Sequence, residues 1–102
     1  MAETAVKSRD LVVSSIKPPS RYKVVVCNDD VTPMEFVIAM LMAVFKHGEE
    51  SALDLTLKIH NDGSAVAGVY SYEIAEQKGI DATVLARDNG HPLQIRVEEE
   101  WV

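Results

Sequence analysis

Between Lys23 and Phe36 the chain turns from strand to helix within a handful of residues, which leaves room only for a rigid corner. Lys23 to Cys27 is a β-branched apolar run of strand length. Thr32 then fits a helix N-cap, Pro33 the first helical position, and Glu35 the last member of a Thr-x-x-Glu capping box. Asn28, Asp29 and Asp30 fall between the two, on a loop held at both ends. Three acceptor side chains fixed at one point favour a cation or an ammonium group.

The remaining periodicities supply partners for that corner. Phe36, Val37, Met40, Leu41, Val44 and Phe45 recur at helical spacing over 33–46, and His47-Gly48 reads as the stop. A second helix is expected over 49–60, with Glu49 and Glu50 at its positive end and Lys58 and His60 at its negative end. Asn61-Asp62-Gly63 reads as a turn and 64–70 as a short strand. Ser71 fits the N-cap of a third helix over 72–89, in which Gly79 is a weak or bent point. Gly90-His91-Pro92 ends it. Leu93, Ile95 and Val97 alternate with polar residues as a half-buried strand, and Glu98-Glu99-Glu100 reads as a solvated end. The order β-α-α-β-α-β predicts an α+β fold: a three-stranded antiparallel sheet with three helices packed on it. Residues 1–20, closed by Lys17-Pro18-Pro19-Ser20, read as a flexible N-terminal extension, and 21–102 as the core domain.

Composition excludes several classes. A chain of 102 residues makes one domain with a modest core. A net charge of −6 without a basic stripe argues against nucleic acid. The lone Cys27 rules out an internal disulfide, fits a reducing compartment, and reads as a buried core thiol. No segment approaches the ~20 apolar residues of a membrane span, and the charged first 21 residues do not resemble a signal peptide. A cytoplasmic protein is the expectation.

His60, closing the second helix, can reach the Asn28-Asp29-Asp30 loop if the two helices pack side by side. The plainest account of these residues is a helix-terminal histidine beside an acidic turn. A small metal-binding or acid/base enzyme using Asn28, Asp29, Asp30 and His60 is an alternative, but the sequence has no His-x-x-x-His or paired-cysteine spacing, no phosphate loop and no Cys/His pair. A purely structural interaction domain, similar in architecture to the C-terminal domain of the ribosomal stalk protein, is another. No catalytic residue, metal or cofactor is assigned.

The run from Tyr22 to Val37, with its Asn-Asp-Asp-Val-Thr-Pro-Met-Glu centre, resembles the signature of the ClpS adaptors, bacterial N-degron recognition proteins that deliver substrates to the Clp protease. The likeness continues through Lys58-Ile59-His60, Ala67 to Tyr70, Glu73 to Lys78 and Ala86 to Leu93, and so spans 18–97. The resemblance implies an adaptor without catalytic activity. Its ligand would be the first residue of a polypeptide, when that residue is Leu, Phe, Tyr or Trp. Asn28, Asp29 and His60 would hold the free α-amine, with Asp30 in the same loop. Met34, Val37, Ile59 and Leu93 would line the hole for the side chain, with Thr32 and Pro33 at the rim. Met34 would crowd out first residues branched at Cβ. Thr56 stands where the family pattern has a methionine in the wall, which implies an altered depth or preference. Glu73 and Lys78 match a surface that docks a Clp AAA+ unfoldase, and Val31 replaces an aromatic residue there.

Overall fold

The protein is described by a computed structural model covering residues 20–100; the extension before Ser20, and Trp101 with Val102, lie outside the described residues. Six elements follow in the expected order: β1 (Arg21–Cys27), α1 (Met34–Ala43), α2 (Glu49–Asp62), β2 (Ser64–Tyr70), α3 (Tyr72–Asp88) and β3 (Gln94–Glu100). The strands form one antiparallel sheet in the order β2-β1-β3. β1 is central because it has the most to bury: Val24, Val25 and Val26 are all inaccessible. Val24 and Val26 join the helices in the core, with Met40 and Leu41 of α1, Ala52 and Ile59 of α2, and Leu93 just before β3. Among the described residues no helix is long and apolar enough to cross a membrane.

α3 reaches this core through small residues. Ala75, Gly79, Ala82 and Ala86 are its buried positions, and they let the helix backbone come close to the sheet. A Cβ at Gly79 would lie 3.0 Å from Val97 Cγ2. Gly79 therefore serves close approach to β3, a reason the sequence reading of a weakened helix did not contain.

Several boundaries differ from expectation. Pro33 is the N-cap of α1 and Met34 its first residue, with no side-chain cap; the Thr32 hydroxyl binds the Asp29 carboxylate instead, so the Thr32/Glu35 capping box does not form. α1 ends at Ala43, and the positive φ that turns the chain falls on Lys46 (62°), while Gly48 caps the start of α2. α2 runs two residues past His60, with Gly63 alone (φ 95°) making the left-handed exit. Ser71 does cap α3, but without a side-chain hydrogen bond. Glu98 to Glu100 are strand, not a solvated end: they pair with Lys23 to Arg21, and Arg21–Glu100 (3.2 Å) and Lys23–Glu98 (4.0 Å) are ion pairs across the ladder. Cys27 is half-buried at the strand end rather than in the core.

β2 carries a bulge. Val24 opposes Gly68 and Val25 opposes Val66, leaving Ala67 as the extra residue. The Ala67 carbonyl is taken by His47 Nε2–H at 2.6 Å, with Ser51 Oγ 3.1 Å from Nδ1. Next to the bulge the Tyr70 ring folds back over Gly68, so that a Cβ there would overlap the Tyr70 hydroxyl oxygen. Gly68→Ala is expected to push the ring out, separating it from Lys78 Nζ (5.9 Å from the ring centroid), and to cost ~1–3 kcal/mol in urea denaturation. A loss below a few tenths of a kcal/mol would mean that the ring is free to rotate away.

Candidate functional site

The β1–α1 loop is held to the α2–β2 turn by one backbone hydrogen bond, Asn28 N–H to the Gly63 carbonyl at 2.7 Å. The left-handed Gly63 makes that approach possible, since α2 must end abruptly for β2 to start beside β1. Inside the loop the Thr32 hydroxyl donates to Asp29 Oδ2 and the Thr32 N–H to the Asp29 carbonyl at 3.4 Å. A hydroxyl on one carboxylate oxygen fixes the plane of the group and leaves the other oxygen for a ligand. His60 arrives from the last turn of α2, next to the buried Ile59.

These elements enclose a cavity of about 200 Å³. Its mouth is polar: Asn28, Asp29, Asp30, Thr32 and His60 surround it. Its interior is formed by Val37 of α1, Thr56 and Ile59 of α2, and Leu93, with Met34 of α1 at the edge. Met34 is 37% exposed at the edge, whereas Thr56 and Leu93 are closed off at 2% and 1%. The Thr56 hydroxyl donates to the Ala52 carbonyl at 2.7 Å, so it is committed to its own helix and unavailable to a ligand. Of the eleven residues singled out for this site from the sequence, ten border the cavity; Pro33 does not, being exposed where it caps α1.

Two residues that the sequence did not single out help to build the site. Arg87 Nη1 donates to the carbonyls of His91 (2.9 Å) and Leu93 (2.8 Å), tying the α3–β3 connection down so that Leu93 closes the cavity. Its place in the last turn of α3 was the available signal. His91 sets its ring edge-on to Phe36, centroids 4.6 Å apart, which fastens the same connection to α1.

The surface assigned to a partner is only partly free. Val31 stands 68% exposed on the loop beside the cavity, and Glu73 is exposed in the first turn of α3. Lys78, by contrast, is half-buried and donates to the Val44 carbonyl at 2.8 Å, joining α3 to the end of α1.

Chemically the cavity offers acceptors at its entrance and hydrocarbon below. An ammonium group on an apolar side chain matches both. Among the described residues no three His, Cys, Asp or Glu side chains come together to hold a metal ion, so the metal alternative lacks its ligands.

Comparisons with known proteins bear on the family and the fold. Residues 17–96 match the family model for ATP-dependent Clp protease adaptor protein ClpS. The ATP-dependent Clp protease adapter protein ClpS of Sodalis glossinidius is 44% identical over 92 residues, 90% of this chain and 87% of that protein. The protein of the same name from Burkholderia cenocepacia is 49% identical over 84 residues, covering 82% and 81% of the two chains. The structure of Agrobacterium tumefaciens ClpS2 bound to L-phenylalaninamide superposes with a TM-score of 0.78 at 43% identity, over 80% of this chain and 99% of that one. With a matching sequence signature, the same fold and relatives aligned over most of their length, the chain belongs to the ClpS family of Clp protease adaptors.

Proposed function

We propose that this protein binds the first residue of a polypeptide when that residue is Leu, Phe, Tyr or Trp, and delivers the chain to a Clp AAA+ unfoldase without catalysing a reaction itself. The observation that carries the reading is the acceptor-ringed mouth over an apolar cavity. Asn28, Asp29 and His60 accept from the α-ammonium, a group with three donors. The first side chain enters between Met34, Val37, Ile59 and Leu93. The ligand in the Agrobacterium ClpS2 structure, a phenylalanine amide with a free amine, has this chemistry. Exposed Val31 and Glu73, with Lys78 beside them in the family pattern, form the unfoldase side of the adaptor.

The test is a titration with a peptide beginning in Phe and with the same peptide carrying one glycine before the Phe. Binding of the first and loss of the second is the expected result. Equal binding would show that the cavity does not select a chain terminus.

Thr56 tunes the choice among large first residues. Thr56→Met adds apolar wall to a cavity of about 200 Å³, at ~25 cal/mol per Å² of surface buried against a ligand that fits. Leu- and Phe-initiated peptides are expected to gain on Trp-initiated ones, because a narrower cavity penalises the indole. An unchanged ranking in competition binding would remove Thr56 from the specificity wall.

A further inference from the structure

A second and larger cavity, about 470 Å³, lies between α3 and the edge strand β3. Gly79 and Val97 are both in its lining, and the missing side chain of Gly79 leaves the depression open, since a Cβ there would lie 3.0 Å from Val97 Cγ2. Ile80 and Val84 form one wall and stand 49% and 51% exposed. Tyr22 and Tyr72, edge-on with centroids 5.0 Å apart, close the end nearest the start of β1. Helix faces that look at water seldom carry such residues in a row unless something covers them.

We propose that the groove is covered by this chain's own N-terminal segment, with Leu11, Val12, Val13 and Ile16 packed on Ile80, Val84 and Val97. The place of attachment favours it: the segment joins the fold one residue before Arg21, and Tyr22 is already part of the groove. Length allows it. Seven residues separate Val13 from Arg21, and at ~3.1 Å each in a proline-stiffened chain they span ~22 Å. The groove follows α3 from Tyr72 to Val84, about 18 Å at ~1.5 Å per residue.

Charge separates this occupant from a second copy. The first twenty residues carry Lys7, Arg9 and Lys17 against Glu3 and Asp10, whereas the whole chain is −6, so the remainder is more acidic still. Glu76 lines the groove, and its carboxylate raises the pKa of the adjacent Tyr72 hydroxyl. Glu98, Glu99 and Glu100 occupy the outer half of the β3 edge. Acids along an edge strand repel another copy of the same acidic edge more than they repel a segment whose net charge is +1, with no acid between Leu11 and Ile16. The tether supplies the rest: a short linker holds its segment at an effective concentration of about a millimolar. A contact too weak to capture a free peptide is then well populated.

The contact is read by amide NMR spectra of the full chain and of two full-length variants. Val12→Asp/Val13→Asp should shift the amides of Ile80, Val84, Ile95 and Val97 and leave those of Asn28, Thr32 and His60 in place. Ile80→Lys/Val84→Lys, at exposed positions, should reciprocally shift the amides of Leu11 to Ile16. Unmoved groove amides in the first variant, or unmoved segment amides in the second, would overturn the proposal. Groove shifts that grow with protein concentration in the parent chain would also overturn it, by making a second copy the occupant. The outcome is independent of the ligand chosen for the smaller cavity.

Discussion

A peptide beginning in Phe is expected to lose at least ~100-fold in affinity when its α-amine is acetylated. Acetylation removes the charge and leaves a single donor. The acceptors at the mouth are then desolvated by the peptide without being paired, at a cost of ~1–3 kcal/mol for each group and more where one is ionised. Asp29 should account for most of that difference, because the Thr32 hydroxyl holds its carboxylate in position. Asp29→Ala is therefore expected to bind the free peptide ~30-fold or more weakly, from the ~2–5 kcal/mol lost when one member of a desolvated charge pair is truncated. It should bind the acetylated peptide nearly as the parent does. Calorimetric titration of both proteins with both peptides gives the four values. If acetylation costs the variant as much as it costs the parent, Asp29 does not hold the amine.

Leu93→Ala is expected to lose ~2–5 kcal/mol of stability in urea denaturation. Leu93 is 1% exposed, closes the cavity, and is fixed there by the Arg87–carbonyl hydrogen bond, so the surroundings have little freedom to collapse into the space left behind. The same truncation deepens the cavity. Trp-initiated peptides should rise in rank against Leu-initiated ones, since only the larger ring can use the added depth. A loss well under ~1 kcal/mol with an unchanged ranking would mean that neighbouring side chains fill the gap.

Much of this was readable from the residues, and what was not has physical causes. The order of elements followed from periodicity because each segment has one apolar pattern and a clear stop. Strand β1 and the acidic corner were legible for the same reason. The starts of α2 and α3 fell where expected, at Glu49 and after Ser71; the cap of α1 did not, because Thr32 had two possible partners and the choice between a backbone N–H and the Asp29 carboxylate is made by the loop's tertiary path. The end of α1 was misplaced because Lys46, not a glycine, takes the positive φ. Glu98 to Glu100 looked like a frayed end because their partners, Arg21 and Lys23, lie at the other end of the sequence. The mouth residues came from a local motif. The far side of the cavity, Thr56 and Leu93, could be named only from the family's pattern, since neither composition nor spacing marks a residue as facing a cavity. The roles of Arg87, His47 and Gly79 depend on close approaches that no local pattern carries.

One backbone hydrogen bond, from Asn28 to Gly63, decides how the protein meets its ligand. It joins the loop that carries the acids to the end of the helix that carries His60, so the two halves of the mouth are built before anything enters. A receptor assembled in advance spends none of its affinity on ordering itself. Under the proposed function, a mouth joined in this way leaves less to rearrange on encounter. In the proposed role of passing a chain onward, a mouth already joined suits exchange better than a slowly opening one.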